Sequence, residues 1–564
     1  MHQETWRTMI PDYTQYAEIM DQFNTIPSAT TGLLQDRLVD AVRRFTAIPY
    51  QPRVLRVIAP DNKIYRDYVI ELLAQSDAEL NKTDTSIIIA GENVTEMTLF
   101  GAVYPPVEDS AIAKQQIKHG LLHQANGGYL VLSVTSILAN PSLWPRLKSV
   151  LMNGELDWQP ASNKTLYSVP PAEKLNVKLV IMGDRYLMAE LDGAEPDLSS
   201  GFSMYSEFEQ DLVLSKETMP DYLSYVKSVC DHAGLPHLAD SKAIELLLRT
   251  GARYAEDKNR VPLCPIWHQG ILSEAALESK GLAITAEHLA ASLKAKEFRE
   301  SYLPERAIED IHHGMVVIIS QGEEVGQVNG LTVVDVPGHP QSYGEPARIS
   351  CVVHFGDGDI SDVERKVDLA GNIHAKGMMI MQAFVSAALD LDQPLPYSAS
   401  IVFEQSYCEV DGDSASLAEL CALVSALSNQ PINQQVAVTG AVDQFGRVQA
   451  VGGINEKIEG FYKVCVHRGL TGNQGVILPK TNLVNLCLND EVVEAIKAGR
   501  FHIWPVENVD ETLPLLTGVT FRSDDDEVET LLTRIAERID HFHHGDLSNE
   551  VNWLTRIKNW FVQH

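Results

Sequence analysis

The sequence predicts an α/β multidomain protein: an α/β core of the nucleotide-fold type, then a helical segment, then a mixed α/β domain. Three observations carry this prediction. Buried-strand patterns alternate with helical patterns over residues 25–215, which indicates a parallel sheet covered by helices. Strand patterns almost vanish over residues 216–303, where apolar residues recur at helical spacing. Short β-rich runs, separated by turns containing glycine and proline, follow from residue 312.

The elements of the core are expected in alternating order. Strands are predicted at residues 53–60, 85–92, 127–138 and 177–184, and helices at 33–45, 64–75 and 144–153. The last of these helices is expected to stop at Asn153-Gly154, a typical stop signal. The mixed domain is expected to hold strands at 314–320, 330–336, 347–355, 398–405 and 435–442 and a helix at 416–428.

Composition limits the kind of protein. A chain of 564 residues has room for three or four domains, at roughly 100–200 residues each. Its formal net charge of -31 argues against a nucleic-acid or acidic-membrane partner, which would need a basic face. The sequence shows no apolar run long enough for a membrane span and no secretory signal pattern. The seven cysteines form no C-x-x-C pair. A cytoplasmic protein with reduced thiols is therefore expected. No metal site is expected.

The stretch "DGDSAS" (411–416) precedes an apolar helical run. Taken alone, it predicts a turn and a capped helix start, with Ser416 as N-cap and Glu419 completing an S-x-x-E capping box. A serine hydroxyl at such a place also lies beside unpaired backbone N–H groups, which stabilise a developing oxyanion. Ser414 is therefore a candidate nucleophile, provided that a base removes its proton.

Lys457 is the candidate base. It follows a Gly-Gly turn in "VGGINEKIEGF", in an apolar setting within the first turns of a predicted helix. Burial and a helix N-terminus both favour the neutral amine that a base requires. The residues alone leave open a solvated lysine. The nearest histidines, His374 and His467, flank the turn at a distance in sequence.

Four elements occur in order: "FEQSYCEVDGDSAS", then T-G, then G-x-V, then V-G-G-x-x-E-K. Together they resemble the proteolytic domain of Lon proteases, more closely the B-type and C-type branches than the A-type. The resemblance implies a Ser-Lys dyad with Ser414 as nucleophile and Lys457 as general base, while the Thr439 hydroxyl helps to hold the lysine amine. Asp413 replaces the proline usual in the A-type and is expected to orient the lysine.

Further residues of this domain are assigned less central parts. Asp411 and Glu404 are candidates for holding the catalytic residues in place without contacting the substrate. His374 and Lys376, in "GNIHAKG", also match a B-type stretch, and they are interpreted as structural.

The N-terminal half resembles the AAA+ ATPase of B-type Lon proteases over residues 119–158, and the helical segment resembles its lid. The nucleotide chemistry is missing. After the first strand, "PDNKIYRDY" contains no glycine and no hydroxyl next to Lys63, whereas a P-loop needs both. Ser133-Val134 stands where an acidic pair for Mg²⁺ is expected. The segment is therefore predicted to be a degenerate AAA+ domain, with neither ATP nor Mg²⁺ as a cofactor.

These inferences give one predicted organisation and function. The predicted domains are an N-terminal segment 1–24, the AAA+-like domain 25–215, the lid 216–303, the Lon-type proteolytic domain 304–520 and an acidic, then helical tail 521–564. The protein is expected to be an ATP-independent serine endopeptidase that cleaves unfolded or small proteins, and the resemblance implies a homo-hexamer. Two alternatives stay open: an ATP-dependent protease with a divergent nucleotide site, and a proteolytically latent hexameric scaffold or holdase.

Overall fold

A computed structural model describes residues 4–81, 86–105, 116–161, 169–356, 358–366, 369, 371–389, 397–406, 411–525 and 527–545. The chain divides into two compact units. The N-terminal unit contains residues 16–241 and 262–285, and the C-terminal unit contains 1–15, 242–261 and 286–564. The helical segment 216–303 contributes to both units, and the predicted domain boundaries stay predictions. Cys408 and residues 546–564 of the predicted helical tail lie outside the described residues.

The helices and strands of the described residues are as follows. The α-helices are α1 Ala17–Asp21, α2 Asp36–Ala47, α3 Lys63–Asn81, α4 Glu96–Phe100, α5 Leu121–Gln124, α6 Val134–Ala139, α7 Leu143–Asn153, α8 Arg185–Ala194, α9 Met219–Ala233, α10 Ser241–Tyr254, α11 Pro265–Glu278, α12 Ala286–Glu300, α13 Tyr302–His312, α14 Val363–Lys366, α15 Asn372–Leu389, α16 Ser416–Ser428, α17 Ile454–Arg468, α18 Asp490–Lys497, α19 Val509–Thr517 and α20 Leu531–Gly545. The strands are β1 Val54–Ile58, β2 Ile88–Gly91, β3 Ala102–Tyr104, β4 Gln116–Lys118, β5 Tyr129–Ser133, β6 Glu155–Leu156, β7 Glu173–Lys174, β8 Lys178–Gly183, β9 Ser203–Glu207, β10 Asp211–Val213, β11 Arg260–Pro262, β12 Glu323–Glu324, β13 Gln327–Val334, β14 Tyr343–Phe355, β15 Ile360–Asp362, β16 Tyr397–Glu404, β17 Ile432–Asn433, β18 Val436–Val438, β19 Ala441–Val442, β20 Val448–Gln449, β21 Gly475–Pro479 and β22 His502–Val506. None of the described helices combines the length and the apolar composition that crossing a membrane requires.

The N-terminal unit is built on a five-stranded sheet in the order β2-β5-β8-β1-β9, with parallel pairing throughout. The central strands β1 and β5 are buried along their full length. Such continuous apolar strands are typical of a parallel sheet with both faces covered. The predicted α/β core is therefore confirmed.

One predicted strand of this unit is too long. The strand expected at 127–138 ends at Ser133, and helix α6 begins at the next residue. The Ser133 hydroxyl accepts the N–H of Thr135 at 3.0 Å, which makes Ser133 an N-cap and turns the following apolar residues into a helix. The predicted stop of α7 is confirmed, because Gly154 follows it with φ +70°.

The C-terminal unit contains a seven-stranded mixed sheet in the order β15-β16-β14-β13-β18-β21-β22. Neighbouring residues of β18 point to different cores: Val438 packs in the core that contains α16, and Ala437 packs in the core that contains α17. The two helices therefore cover opposite faces of the sheet. Every residue of α16 is buried, so this helix is the centre of its core.

Two predicted strands of this unit differ from the structure. The run 314–320 is not a strand; side-chain amides hold it instead, since Gln405 accepts the Val317 N–H and Asn329 donates to the Ile319 carbonyl. The strand expected at 435–442 is broken into β18 and β19. Gly440 interrupts it with φ +157°, and Leu417 and Val448 side chains lie 3.0 Å from where a Cβ would stand.

Helix α20 packs within the C-terminal unit. Its residues Leu531, Ile535 and Ile539 are buried in the core that contains α16. The Arg538 guanidinium also donates to the carbonyl of Ala426, near the end of α16, at 2.7 Å. Helix α20 therefore contacts the C-terminal part of α16, away from the N-terminus that follows Ser414.

Candidate active site

The serine turn lies directly before α16. Ser414 is half-buried and precedes the helix by two residues. The prediction that Ser416 caps the helix is wrong, since Ala415 occupies the N-cap position and Ser416 is the first helical residue. The Ser416 hydroxyl instead donates to the Asp413 carbonyl at 2.8 Å and accepts the Val442 N–H at 3.0 Å. It therefore fastens the turn to the neighbouring β19.

The backbone of Ser414 is held from the broken strand. Its carbonyl accepts the N–H of Gly440 at 2.9 Å and the hydroxyl of Thr439 at 3.2 Å. Within the described part of the chain, the N–H groups of Ser414 and Ala415 meet no acceptor. These two donors beside the hydroxyl are suited to hold an oxyanion.

Lys457 comes from the other face of the sheet, in the first turn of α17. The helix starts after Gly453, which has φ +61° and packs against Val333 where a Cβ would clash. The lysine amine donates to Ser414 Oγ at 2.9 Å and to Thr439 Oγ1 at 3.2 Å. The side chain is 2 % exposed, and Thr439 is fully buried. The structure therefore brings together three of the four predicted site residues by direct hydrogen bonds.

Burial sets the protonation of this lysine. It lowers the pKa of Lys457 from 10.5 to about 8, and the negative charge of Asp413 acts in the opposite direction. A neutral amine is then accessible near physiological pH, which a general base requires. Asp413 itself is exposed, and no hydrogen bond joins its carboxylate to Lys457 among the described residues. Its expected role in orienting the lysine stays a prediction.

The supporting candidates lie further away. Asp411 accepts the N–H of Ile373 at 3.3 Å and so fastens the start of α15 beside the serine turn. Glu404 accepts the Ser350 hydroxyl at 2.8 Å across the sheet. Lys376 is exposed.

His374 belongs to a buried acidic cluster that the sequence did not predict. Its Nε2 lies 3.2 Å from Asp362 and 3.6 Å from Glu419, and all three residues are almost fully buried. Burial disfavours the imidazolium, but the surrounding carboxylates outweigh it and raise the pKa of His374. Burial raises the pKa of Glu419 to about 7, against the opposing effect of His374. A single carboxylate on an otherwise apolar stretch of α16 was the signal for this cluster.

The loop after β1, where an ATPase of this class would have its P-loop, carries a carboxylate. Asp61, in the loop after β1, accepts hydrogen bonds from the hydroxyls of Ser133, the last residue of β5, and Thr135, in the first turn of α6. Lys63 pairs with Asp67 one turn along α3. These residues offer a carboxylate that is already bound by two hydroxyls, and a lysine that is paired with Asp67. A bound triphosphate needs backbone N–H groups, a free lysine and carboxylates for Mg²⁺. They do not fit Mg-ATP.

A possible metal-ligand group in the described residues comprises His119, His123 and Glu173. The Nε2 of His123 lies 3.6 Å from a Glu173 oxygen. Its Nδ1 accepts the Gly120 N–H at 3.1 Å, which places the proton of the neutral ring on Nε2. That arrangement leaves Nε2 no lone pair for a metal ion.

Comparisons with known proteins find two matching domain families and several similar proteins. A LonB-like AAA domain matches residues 84–209, and the Lon protease (S16) C-terminal proteolytic domain matches residues 399–517. A Lon protease homolog of Escherichia coli is 39% identical over 99% of this chain and 98% of its own length. A Lon protease homolog of Haemophilus influenzae is 42% identical over 79% of this chain and 74% of its own. An archaeal Lon protease of Archaeoglobus fulgidus is 26% identical over 74% of this chain.

The fold and the second domain match define a peptidase of the Lon type. With a relative of this identity and coverage, the chain belongs to the Lon protease family.

Proposed function

We propose that the chain is a serine endopeptidase in which Ser414 is the nucleophile and Lys457 the general base. The observation that carries this proposal is the 2.9 Å hydrogen bond from a buried lysine amine to the serine hydroxyl. Burial supports the neutral form of that amine, and Thr439 fixes its direction. A base within hydrogen-bond reach of the proton that it removes satisfies the first geometric requirement of acyl transfer.

The chemistry follows from these positions. Neutral Lys457 takes the proton of Ser414 Oγ as the oxygen attacks the peptide carbonyl. The N–H groups of Ser414 and Ala415 would hold the resulting oxyanion. The lysine ammonium then returns its proton to the leaving amine, and an acyl-enzyme remains. Water attacks the acyl-enzyme with the same lysine as base, which releases the second product and restores the serine hydroxyl.

We further propose that this cleavage does not depend on ATP. The Asp61 carboxylate in the loop after β1 supports this proposal, since its charge repels phosphates and its partners are the hydroxyls of Ser133 and Thr135. Without a motor, unfolded or small proteins are the expected substrates. A cytoplasmic homo-hexamer is part of the same proposal and follows from the family resemblance.

Active-site labelling tests the dyad. Incubation with a fluorophosphonate followed by peptide mapping is expected to modify Ser414 in the wild type and to fail in Lys457→Met. Lys463→Met, an exposed lysine on the same helix, is the matched control and should label normally. Equal labelling of Lys457→Met and wild type would refute the assigned base. Absence of labelling in every variant would favour a latent scaffold, and ATP-dependent labelling would favour a divergent nucleotide site.

A further inference from the structure

Helix α10 places an arginine against the helix that carries Lys457. Arg253 donates to Glu456 at 2.9 Å and to Glu459 at 3.0 Å, both in α17. It also donates to the Cys487 carbonyl at 3.1 Å. Glu456 is the residue directly before Lys457 in the chain. One guanidinium therefore binds two carboxylates within one turn of the candidate base.

The first turn of α17 is enclosed from a second side. Gly344 of β14 approaches so closely that a Cβ there would lie 2.0 Å from the Glu456 carbonyl oxygen. Glu459 is also fixed independently, because it accepts the N–H of Asn489 at 2.9 Å. The turn thus contacts the backbone of β14 directly and the guanidinium of Arg253 through two side chains. A shift of this turn would disturb the packing against β14, the charge-assisted hydrogen bonds to Arg253, or both.

Position matters here because the base acts through one long side chain. Lys457 Nζ must reach Ser414 Oγ and Thr439 Oγ1 at once, at 2.9 and 3.2 Å. A displacement of about 1 Å in such a group costs roughly 100-fold in rate.

We propose that Arg253 is a positioning residue for Lys457, an inference that rests on the proposed function of the dyad. Helix α10 belongs to the segment that resembles an ATPase lid. In this chain, the role of α10 is to hold α17, the helix that carries Lys457, in position without any nucleotide. Loss of the guanidinium would also leave Glu456 and Glu459 facing each other without a countercharge.

The same helix supplies a matched control. Arg249 lies one turn before Arg253 and donates to Asp490 at 2.6 Å and to the Leu488 carbonyl at 2.7 Å. It is of the same chemistry and similar exposure, but its hydrogen bonds go to α18 and its preceding loop rather than to α17.

The experiment compares Arg253→Met, Arg253→Lys and Arg249→Met in the full-length chain. Hydrolysis of a fluorogenic peptide gives kcat and KM, and hydrogen–deuterium exchange reports on the amides of residues 452–460. Arg253→Met is expected to lower kcat about 10- to 100-fold with KM within about twofold. It should also speed exchange in this peptide, while Arg253→Lys gives an intermediate loss because a single ammonium cannot bind both carboxylates in fork geometry. Arg249→Met should leave both readouts near wild type.

Two results would overturn the inference: a kcat of Arg253→Met within about twofold of Arg249→Met, or unchanged exchange over residues 452–460. The exchange readout needs no activity. If wild type and Ser414→Ala cleave equally, the proposed dyad fails, while faster exchange in Arg253→Met alone would still show that Arg253 holds α17. Unchanged exchange with an intact Ser414-dependent activity would refute the positioning role by itself.

Discussion

The low pKa of Lys457 predicts the pH dependence of peptide cleavage. Burial brings that pKa to about 8, so roughly one-tenth of the amines are neutral at pH 7, half at pH 8 and nine-tenths at pH 9. Since only the neutral amine accepts the serine proton, kcat/KM should rise about tenfold per pH unit below 8 and level off above about pH 9.

Initial rates with a fluorogenic peptide, from pH 6 to 10, measure this rise of kcat/KM with pH. Lys457→Arg keeps a positive charge that does not dissociate in this range, so its rate should lie about 100- to 10,000-fold below the wild-type plateau and should not rise with pH. Lys463→Arg, exposed on the same helix, should retain the wild-type profile. A half-maximal kcat/KM near pH 6.5 would indicate a histidine base instead. A kcat/KM that does not change with pH would refute the reasoning.

The lowered pKa of Lys457 also makes the stability of the folded protein depend on pH. Because the folded pKa lies below the unfolded one, the unfolded chain binds more protons between about pH 8 and 10.5, and stability rises with pH across that window. The difference between the two pKa values, 10.5 and about 8, corresponds to roughly 3 kcal/mol, fully present as a penalty below pH 8. In chemical denaturation, the advantage of Lys457→Met over wild type should shrink by that amount between pH 7 and pH 11. A constant difference would contradict the assigned burial effect.

Three further predictions concern single contacts. Thr439→Val removes a hydrogen-bond partner of the buried lysine, which costs about 1–3 kcal/mol and lowers kcat roughly 5- to 150-fold, whereas Thr439→Ser should stay within about fivefold in the same peptide assay. His374→Leu leaves the Asp362 carboxylate buried without a countercharge, so calorimetry should show a loss of about 3–5 kcal/mol in the free energy of unfolding. The exposed Lys376→Met is the control, and equal melting temperatures of the two variants would refute the ion pair. Leu531→Ala should cost about 2–5 kcal/mol by opening a cavity under α20, and a loss no larger than that of the exposed Glu537→Ala would show that this helix does not pack as described.

Much of the fold could be predicted because its signals are local. Strand β1 and helix α16 follow directly from apolar patterns, and α7 stops where Asn153-Gly154 predicts. The errors came from interactions between distant residues. The serine hydroxyl that fits a capping box, Ser416, bonds to Val442 from another element instead. The apolar run at 314–320 has the composition of a strand, but its backbone partners are side-chain amides of Gln405 and Asn329.

The site divides in the same way. Ser414, Lys457 and Thr439 were predictable because ordered motifs carried them, and the structure places the three side chains within hydrogen-bond distance. The partners from other elements could not be predicted, since neither the carboxylates around His374 nor the guanidinium of Arg253 forms a motif in sequence. Only the fold brings them to α16 and α17.

The most direct test of the Ser414–Lys457 peptidase is degradation of an unfolded model protein by wild type and by Ser414→Ala, each with and without Mg-ATP. We predict cleavage by the wild type at the same rate in both conditions and none by Ser414→Ala. Cleavage that requires ATP would contradict the motorless function. Cleavage that persists in Ser414→Ala, or is absent from the wild type under both conditions, would contradict the dyad.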